Sequence, residues 1–215
     1  HATPLTQIAE DLTEPAFSRP TKPIGPVYGE AEARRLAAER GWHVGRDGRH
    51  FRRLVPSPQP LRILELDVIE MLVNQGVIVI CAGGGGIPVI CRVDRSLAGV
   101  EAVIDKDLAS SLLARELKAD VLLMLTDVDA VYAHWGKPEA RRLRRLRPQA
   151  LQEFSFAPGS MGPKVAAACE FVEQSGGIAG IGRLGDCRAI LAGEAGTLVT
   201  RDATDTLWWE QNPGA

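Results

Sequence analysis

Three lysines stand where local structure alone explains them poorly. Lys106 lies between Asp105 and Asp107 in "GVEAVIDKDLAS", at the start of a helical pattern. Asp105 can cap that helix, and a carboxylate in the first turn suits the positive end of the helix dipole. A lysine in the same turn is disfavoured, so the triplet breaks a local rule. A phosphoryl group docked there would meet backbone N–H donors and an ammonium together. Without one, the triplet is a capped helix with a surface lysine held by its two aspartates. Lys164 repeats the pattern in "FAPGSMGPKVAAA". Gly159, Ser160, Met161 and Gly162 lead into it, Pro163 suits a first helical turn, and Ser160 is close enough to cap. Here the plainer reading is a flexible loop with a solvated lysine. Lys22, in "PTKPIGP", sits in a proline-stiffened segment that by itself reads as a rigid turn.

Two loops add ligand-facing chemistry. Gly83, Gly84, Gly85 and Gly86 follow the apolar run "VIVICA". Glycines permit positive φ and close backbone approach, and their N–H groups can cradle an anion. They also make a tight turn before Ile87-Pro88. The spacing matches neither GxGxxG nor GxxxxGK[ST], so the dinucleotide and P-loop fingerprints do not apply. Thr126, Asp127, Val128, Asp129 and Tyr132 form "TDVDAVY" after "VLLMLT". Its two carboxylates could face Mg²⁺, a ribose or a backbone turn; a protein cage for a metal needs more oxygen ligands than these.

The elements that must position these residues follow from periodicity. "GEAEARRLAAERG" reads as a helix stopped by Gly41. "WHV" and "HFRRLV" flank a turn containing Asp47-Gly48, a small hairpin. "PSPQP" is a linker, so residues 1–60 form an irregular piece and residues 61–215 a regular one. "DVIEMLVNQG" is a helix; "VIVICA" and "VLLMLT" are strands buried on both faces. A helix runs from about Asp105 to Lys118, another over "PKVAAACEFVEQSGG", then a strand "IAGIG" and a helix "GDCRAILAG". Alternating strands and helices predict a mostly parallel sheet with ligands beyond the carboxyl ends of its strands.

Composition narrows the function classes. Lys+Arg total 25 against 27 Asp+Glu, a net charge of −2. That balance argues against a nucleic-acid footprint. The run "RRLRRLR", Arg141–Arg147, reads as a solvated helix face. Cys81, Cys91, Cys169 and Cys187 form no CxxC pair, which points to reduced thiols and a cytoplasmic setting. No apolar run is long enough to span a bilayer and no signal peptide is evident.

Together, "PTKPIGPVY", "CAGGGGIPVI", "GVEAVIDKDLAS", "LTDVDAVY" and "GSMGPKV" resemble carbamate kinase, within the amino acid kinase superfamily, in family order over most of residues 14–200. The resemblance implies an α/β fold: a three-layer αβα sandwich with a mostly parallel central sheet, plus a small protruding subdomain at residues 15–60. It implies reversible phosphoryl transfer between ATP and carbamate, with ATP formed from carbamoyl phosphate and ADP in arginine catabolism. Lys106 and Lys164 then resemble the family's two catalytic lysines, Asp107 the aspartate that organises them, and Lys22 the subdomain lysine that closes over the carbamate side. Gly83, Gly84 and Gly85, the "TDVDAVY" loop and Gly159, Ser160 and Met161 would bind the nucleotide. Mg²⁺ would bridge the nucleotide phosphates, and the family is usually homodimeric.

The resemblance also sets expectations about what lies outside it. The family's opening "GGN" loop and later "HGNGPQ" do not occur here, so the chain is expected to be a fragment and impaired on its own. The tail "RDATDTLWWEQNPGA" departs from the family pattern. Rival readings are another amino acid kinase, acting on acetylglutamate, aspartate or a nucleotide monophosphate, and a non-catalytic nucleotide-binding or oligomerisation module.

Overall fold

Alternation builds the first strand. Thr6, Ile8 and Glu10 are buried, at 5%, 0% and 6% exposure, while Gln7 and Ala9 between them are half-buried. That period of two is what an extended segment imposes. The computed structural model describes residues 1–157 and 159–210, and it divides the chain into two compact units, His1–Ala109 and Ser110–Ala215.

In order, the first unit contains β1 (Gln7–Ala9), α1 (Pro15–Ser18), β2 (Lys22–Tyr28), α2 (Glu30–Arg40), β3 (His43–Asp47), β4 (His50–Val55), β5 (Arg62–Ile63), α3 (Leu66–Asn74), β6 (Ile87–Cys91) and β7 (Leu97–Gly99). α4 (Lys106–Glu116) carries the chain into the second unit. Strands β5-β1-β6-β7 form one sheet, with β1 and β6 parallel and the outer pairs antiparallel. Its core holds Ile8, Ile63, Ile69, Val89 and Ile104, none more than 2% exposed. A second sheet, β2-β4-β3, is the predicted hairpin extended by β2. Its two-residue turn is Gly48-Arg49, with Gly48 at φ 62° where a side chain would be strained. α2 packs on it through Ala33 and Leu36 and ends at Gly41, which is left-handed as expected of a helix C-terminus.

One strand expectation fails in this unit. "VIVICA" makes only an isolated parallel bridge, Ala2 with Val79. Ala2 N donates to Ile78 O and Ile80 N donates to Ala2 O, and no further ladder continues them among the described residues. Ile78 and Ile80 stay 74% and 56% exposed, beside Met71 of α3 at 57%. The strand on this stretch of sequence is instead β6, which begins at Ile87, straight after the glycines.

The second unit contains β8 (Val121–Thr126), β9 (Tyr132–Ala133), β10 (Arg141–Leu146), α5 (Pro148–Leu151), α6 (Met161–Ser175), β11 (Ile178–Arg183), a 3₁₀ turn (Leu184–Asp186), α7 (Cys187–Ala192), β12 (Thr197–Val199) and β13 (Leu207–Trp208). The sheet order is β13-β10-β12-β11-β8, with β9 also on β10. β8 and β11 pair in parallel over six residues and β10 and β12 in parallel over two; β11–β12 and β10–β13 are antiparallel. Phe171, Val172, Leu143, Leu146, Leu151, Ile181 and Ile190 are fully buried in its core. The α/β class therefore holds. The pairing is more mixed than a mostly parallel sheet, because hairpin returns and short edge strands add antiparallel partners.

The arginine-rich run is a strand and not the solvated helix face its spacing suggests. Leu143 and Leu146 are three apart, a helical interval, yet both are 0% exposed on β10. A register shift between Leu143 and Arg145 against β13 resets the alternation, so both leucines face the core. The helices predicted over about 105–118, 163–177 and 185–193 form as α4, α6 and α7, the latter two ending at left-handed Gly176 and Gly193.

Candidate active site

In the first unit the site is built on the start of α4. Asp105 precedes the helix, and its Oδ1 accepts from the backbone N–H of Asp107 (2.9 Å) and of Leu108 (3.4 Å). This is the capping geometry expected from sequence, two orphan donors met by one carboxylate oxygen. The other oxygen is engaged from far along the chain: Lys22 Nζ, at the first residue of β2, donates to Asp105 Oδ2 at 2.8 Å. Burial pushes the Asp105 carboxyl up, but Lys22 and the two cap donors outweigh it and hold its pKa below the usual carboxylate value. Lys106 is exposed at the first helical position, and Asp107 is 7% exposed at the second. Lys22 was placed in a stiff loop by sequence; it belongs instead to a strand whose ladder aims its side chain at the cap.

The glycine loop divides by role. At Gly83 and Gly84 an added Cβ would meet nothing within 4 Å, and both residues are exposed. At Gly85, φ is +131° and a Cβ would fall 2.2 Å from the Ile104 carbonyl oxygen. Gly85 is therefore a packing residue that lets the loop lie against the backbone of Ile104, just before Asp105, while Gly83 and Gly84 present open backbone. Gly85→Ala should destabilise the chain by about 1–3 kcal/mol, and Gly84→Ala should leave the melting temperature unchanged. Thermal denaturation of the two variants checks the contrast.

In the second unit, β8 delivers "TDVDAVY" at its carboxyl end. Thr126 Oγ1 donates to Asp127 Oδ1 at 3.0 Å. Asp129 accepts from the Tyr132 hydroxyl (3.0 Å) and from Arg142 Nη1 (3.2 Å). Burial pushes Asp129 up, but these two donors outweigh it and keep its pKa below the ordinary value. Burial and the bond to Asp129 raise that of Tyr132. The loop's backbone is fixed from β12: Val131 N donates to Thr197 Oγ1 (2.9 Å), whose own proton goes to Leu143 O (2.6 Å). Lys164 lies in the first turn of α6, half-buried, behind Ser160 and Met161. Ser160 gives that helix no side-chain cap, contrary to the sequence expectation; Ser160 N and Gly162 N donate instead to Ala157 O at 3.2 and 2.9 Å. Pro158 lies outside the described residues.

Sequence reasoning missed two groups. Arg142 was read as part of a solvated basic face, yet it grips Asp129. Glu10 drew no comment, although the alternation Thr6, Ile8, Glu10 places it on the buried face of β1. Both its carboxyl oxygens are buried without a hydrogen-bond partner among the described residues, and burial first, then Glu14, raises its pKa to about 8. The four cysteines are free, and burial with the nearby Glu173 takes the Cys169 thiol up to about 12, so it is unreactive packing. No described helix is long and apolar enough to cross a membrane.

Comparison with known proteins places this geometry. The chain is 52% identical over 200 residues to a carbamate kinase of Haemophilus influenzae, covering 93% of this chain and 64% of that protein. It is 48% identical over 214 residues to a carbamate kinase of Rhizobium meliloti, covering 99% and 66%. The structure matches carbamate kinase from Giardia lamblia bound to AMP-PNP with a TM-score of 0.83 and 43% identity, over 93% of this chain and 65% of that one. The chain thus spans just under two thirds of the length of the curated relatives it matches. A family model described as the amino acid kinase family matches residues 9–181. With that match running from β1 through both lysine-bearing helices to β11, the chain belongs to the amino acid kinase family.

Proposed function

We propose that this chain carries the phosphoryl-transfer site of a carbamate kinase, making ATP and carbamate from carbamoyl phosphate and ADP, and the reverse. The observation that carries the reading is the start of α4: Lys22 is seated on the same carboxylate that caps the helix bearing Lys106 and Asp107. Similarity to curated carbamate kinases at about half identity supports it. The family resemblance adds arginine catabolism as the setting, a cytoplasmic location and a homodimer.

In this reaction the phosphorus–oxygen bond to carbamate breaks as a bond forms to the terminal oxygen of ADP. Negative charge spreads over the three equatorial oxygens, so positioning and fixed positive charge do most of the work. Lys106, Lys164 and the backbone N–H groups at Gly83 and Gly84 supply that charge and those donors. By the family resemblance, Asp107 organises the lysines. Lys22, held by Asp105, serves the carbamate side. Thr126, Asp127, Val128, Asp129 and Tyr132, with Gly159, Ser160 and Met161, wall the nucleotide. Mg²⁺ enters with the nucleotide phosphates; among the described residues no three His, Cys, Asp or Glu gather to hold it.

The test is ATP formation, read by luciferase, from ADP with a panel of acyl phosphates and nucleotides. Turnover with carbamoyl phosphate, impaired in rate yet above that with the other substrates, is expected. Turnover on acetylglutamyl phosphate, aspartyl phosphate or a nucleoside diphosphate pair, or ADP binding with no turnover of any, would sink it.

A further inference from the structure

The carboxyl-terminal tail is the part of the second unit that the family reading leaves unexplained, and three hydrogen bonds fasten it to Arg142 and Gly196, of which Arg142 reaches on to the "TDVDAVY" loop. β13 pairs antiparallel with β10, and Trp209 N donates to Arg142 O at 3.1 Å. Arg142 then bridges the tail to the loop: Nη2 donates to Glu210 O (3.1 Å) while Nη1 donates to Asp129 Oδ2 (3.2 Å). Trp209 Nε1 donates to Gly196 O at 2.8 Å. Gly196 in turn packs against Gly182 so closely that a Cβ on Gly182 would lie 3.1 Å from Gly196 Cα and 3.3 Å from Asp129 O. The tail therefore reaches Asp129 indirectly, its side chain through Arg142 and its backbone through Gly196 and Gly182. It is held on the sheet edge by stacking, Arg141 over Trp208 at 4.4 Å and Arg144 over Trp209 at 4.7 Å. Two stacked guanidinium–indole pairs on one short strand favour a fixed position for the tail.

We propose that Trp209 and Glu210 are positioning residues which, through Arg142 and Gly196, set Asp129 in the nucleotide wall. An arginine with one N–H on a carbonyl and another on a carboxylate has its fork direction fixed at both ends. Without Glu210 O and the Trp209 anchor, Arg142 is free to follow solvent, and the Asp129 carboxylate loses one of the two donors that offset its burial, keeping only Tyr132. The proposal rests on the nucleotide reading of the wall for its functional half only.

The experiment uses the full 215-residue chain and three variants: Arg142→Met, Trp209→Phe, which keeps the stack but loses the Nε1 donor, and a chain ended after Asp205. Hydrogen exchange without nucleotide is measured first. Amides of residues 127–133 should exchange about tenfold faster in Arg142→Met, on the order of one charged hydrogen bond, while β8 and α6 keep their protection. Calorimetry should give an ADP dissociation constant weakened by a similar factor, with Trp209→Phe intermediate. Should the shortened chain fail to fold, the two point variants carry the test alone. Exchange at 127–133 indistinguishable from the parent in both point variants overturns the proposal. Altered exchange in the variants, with no ADP bound by the parent chain, refutes the nucleotide reading and leaves the coupling between tail and loop standing. Altered exchange with unchanged ADP affinity removes the functional half.

Discussion

Alanine at Lys106, or at Lys164, should slow ATP formation from carbamoyl phosphate and ADP by about 10²–10³-fold, the usual cost of removing one donor aimed at developing charge. The loss belongs in kcat, because the charge these groups meet grows as the phosphoryl group loosens. Neither change should lower the melting temperature by much. Lys106 is exposed at the first turn of α4, where the helix dipole already disfavours a cation. Normal turnover in either variant sinks the role of that lysine. Arginine in place of Lys106 should recover little, since a planar fork does not reproduce a compact ammonium.

The second large effect concerns stability and its direction with pH. Glu10 has a folded-state pKa of about 8 against an ordinary 4.5. Between those values the folded chain keeps the proton and the unfolded chain has lost it. Stability is thus fully present below about 4.5 and falls as pH rises through about 8, at about 1.4 kcal/mol per pH unit inside the window. Glu10→Gln removes the titration and keeps the shape. Its unfolding free energy should stay flat where the parent's declines, so the variant leads by a few kcal/mol at pH 9 and by little at pH 5. Chemical denaturation across that range decides it, and parallel profiles for the two chains would be the contrary result. The physical cause is ordinary: β1 alternates, Ile8 goes inward, and Glu10 must follow.

Much of this fold was legible from spacing because helices announce their ends. Gly41, Gly176 and Gly193 each close a helix at positive φ, and each was readable as a stop. "VLLMLT" formed its strand because β11 lies alongside it for its whole length. "VIVICA" is as apolar and did not, because a strand is defined by partners and, among the described residues, only Ala2 makes a backbone bridge to it. "RRLRRL" hid its strand behind a bulge, a feature with no composition of its own. At the site, the Asp105 cap was legible since a cap is local, acting on Asp107 and Leu108 next door. Its engagement with Lys22 spans 83 positions, and only the β2–β4 ladder brings the two together. Arg142 was misread for the same reason: its partners, Asp129 and Glu210, arrive from a loop and a tail that sequence distance separates.

Asp105 and Glu10 lie in the same unit and answer acid and alkali in opposite senses. The Asp105 pKa is held down by Lys22 and the cap donors, so its contribution exists above the ordinary carboxylate value and drains away as pH falls below it. Loss of that charge frees Lys22 and weakens the helix start in one event. Acid therefore loosens the join between the β2–β4–β3 sheet and the helix carrying Lys106, whereas alkali strains the buried end of β1. The two losses are opposed in direction: that of Asp105 sets in below the ordinary carboxylate value, at the residues proposed for catalysis, and that of Glu10 runs from about 4.5 up to about 8, in the scaffold.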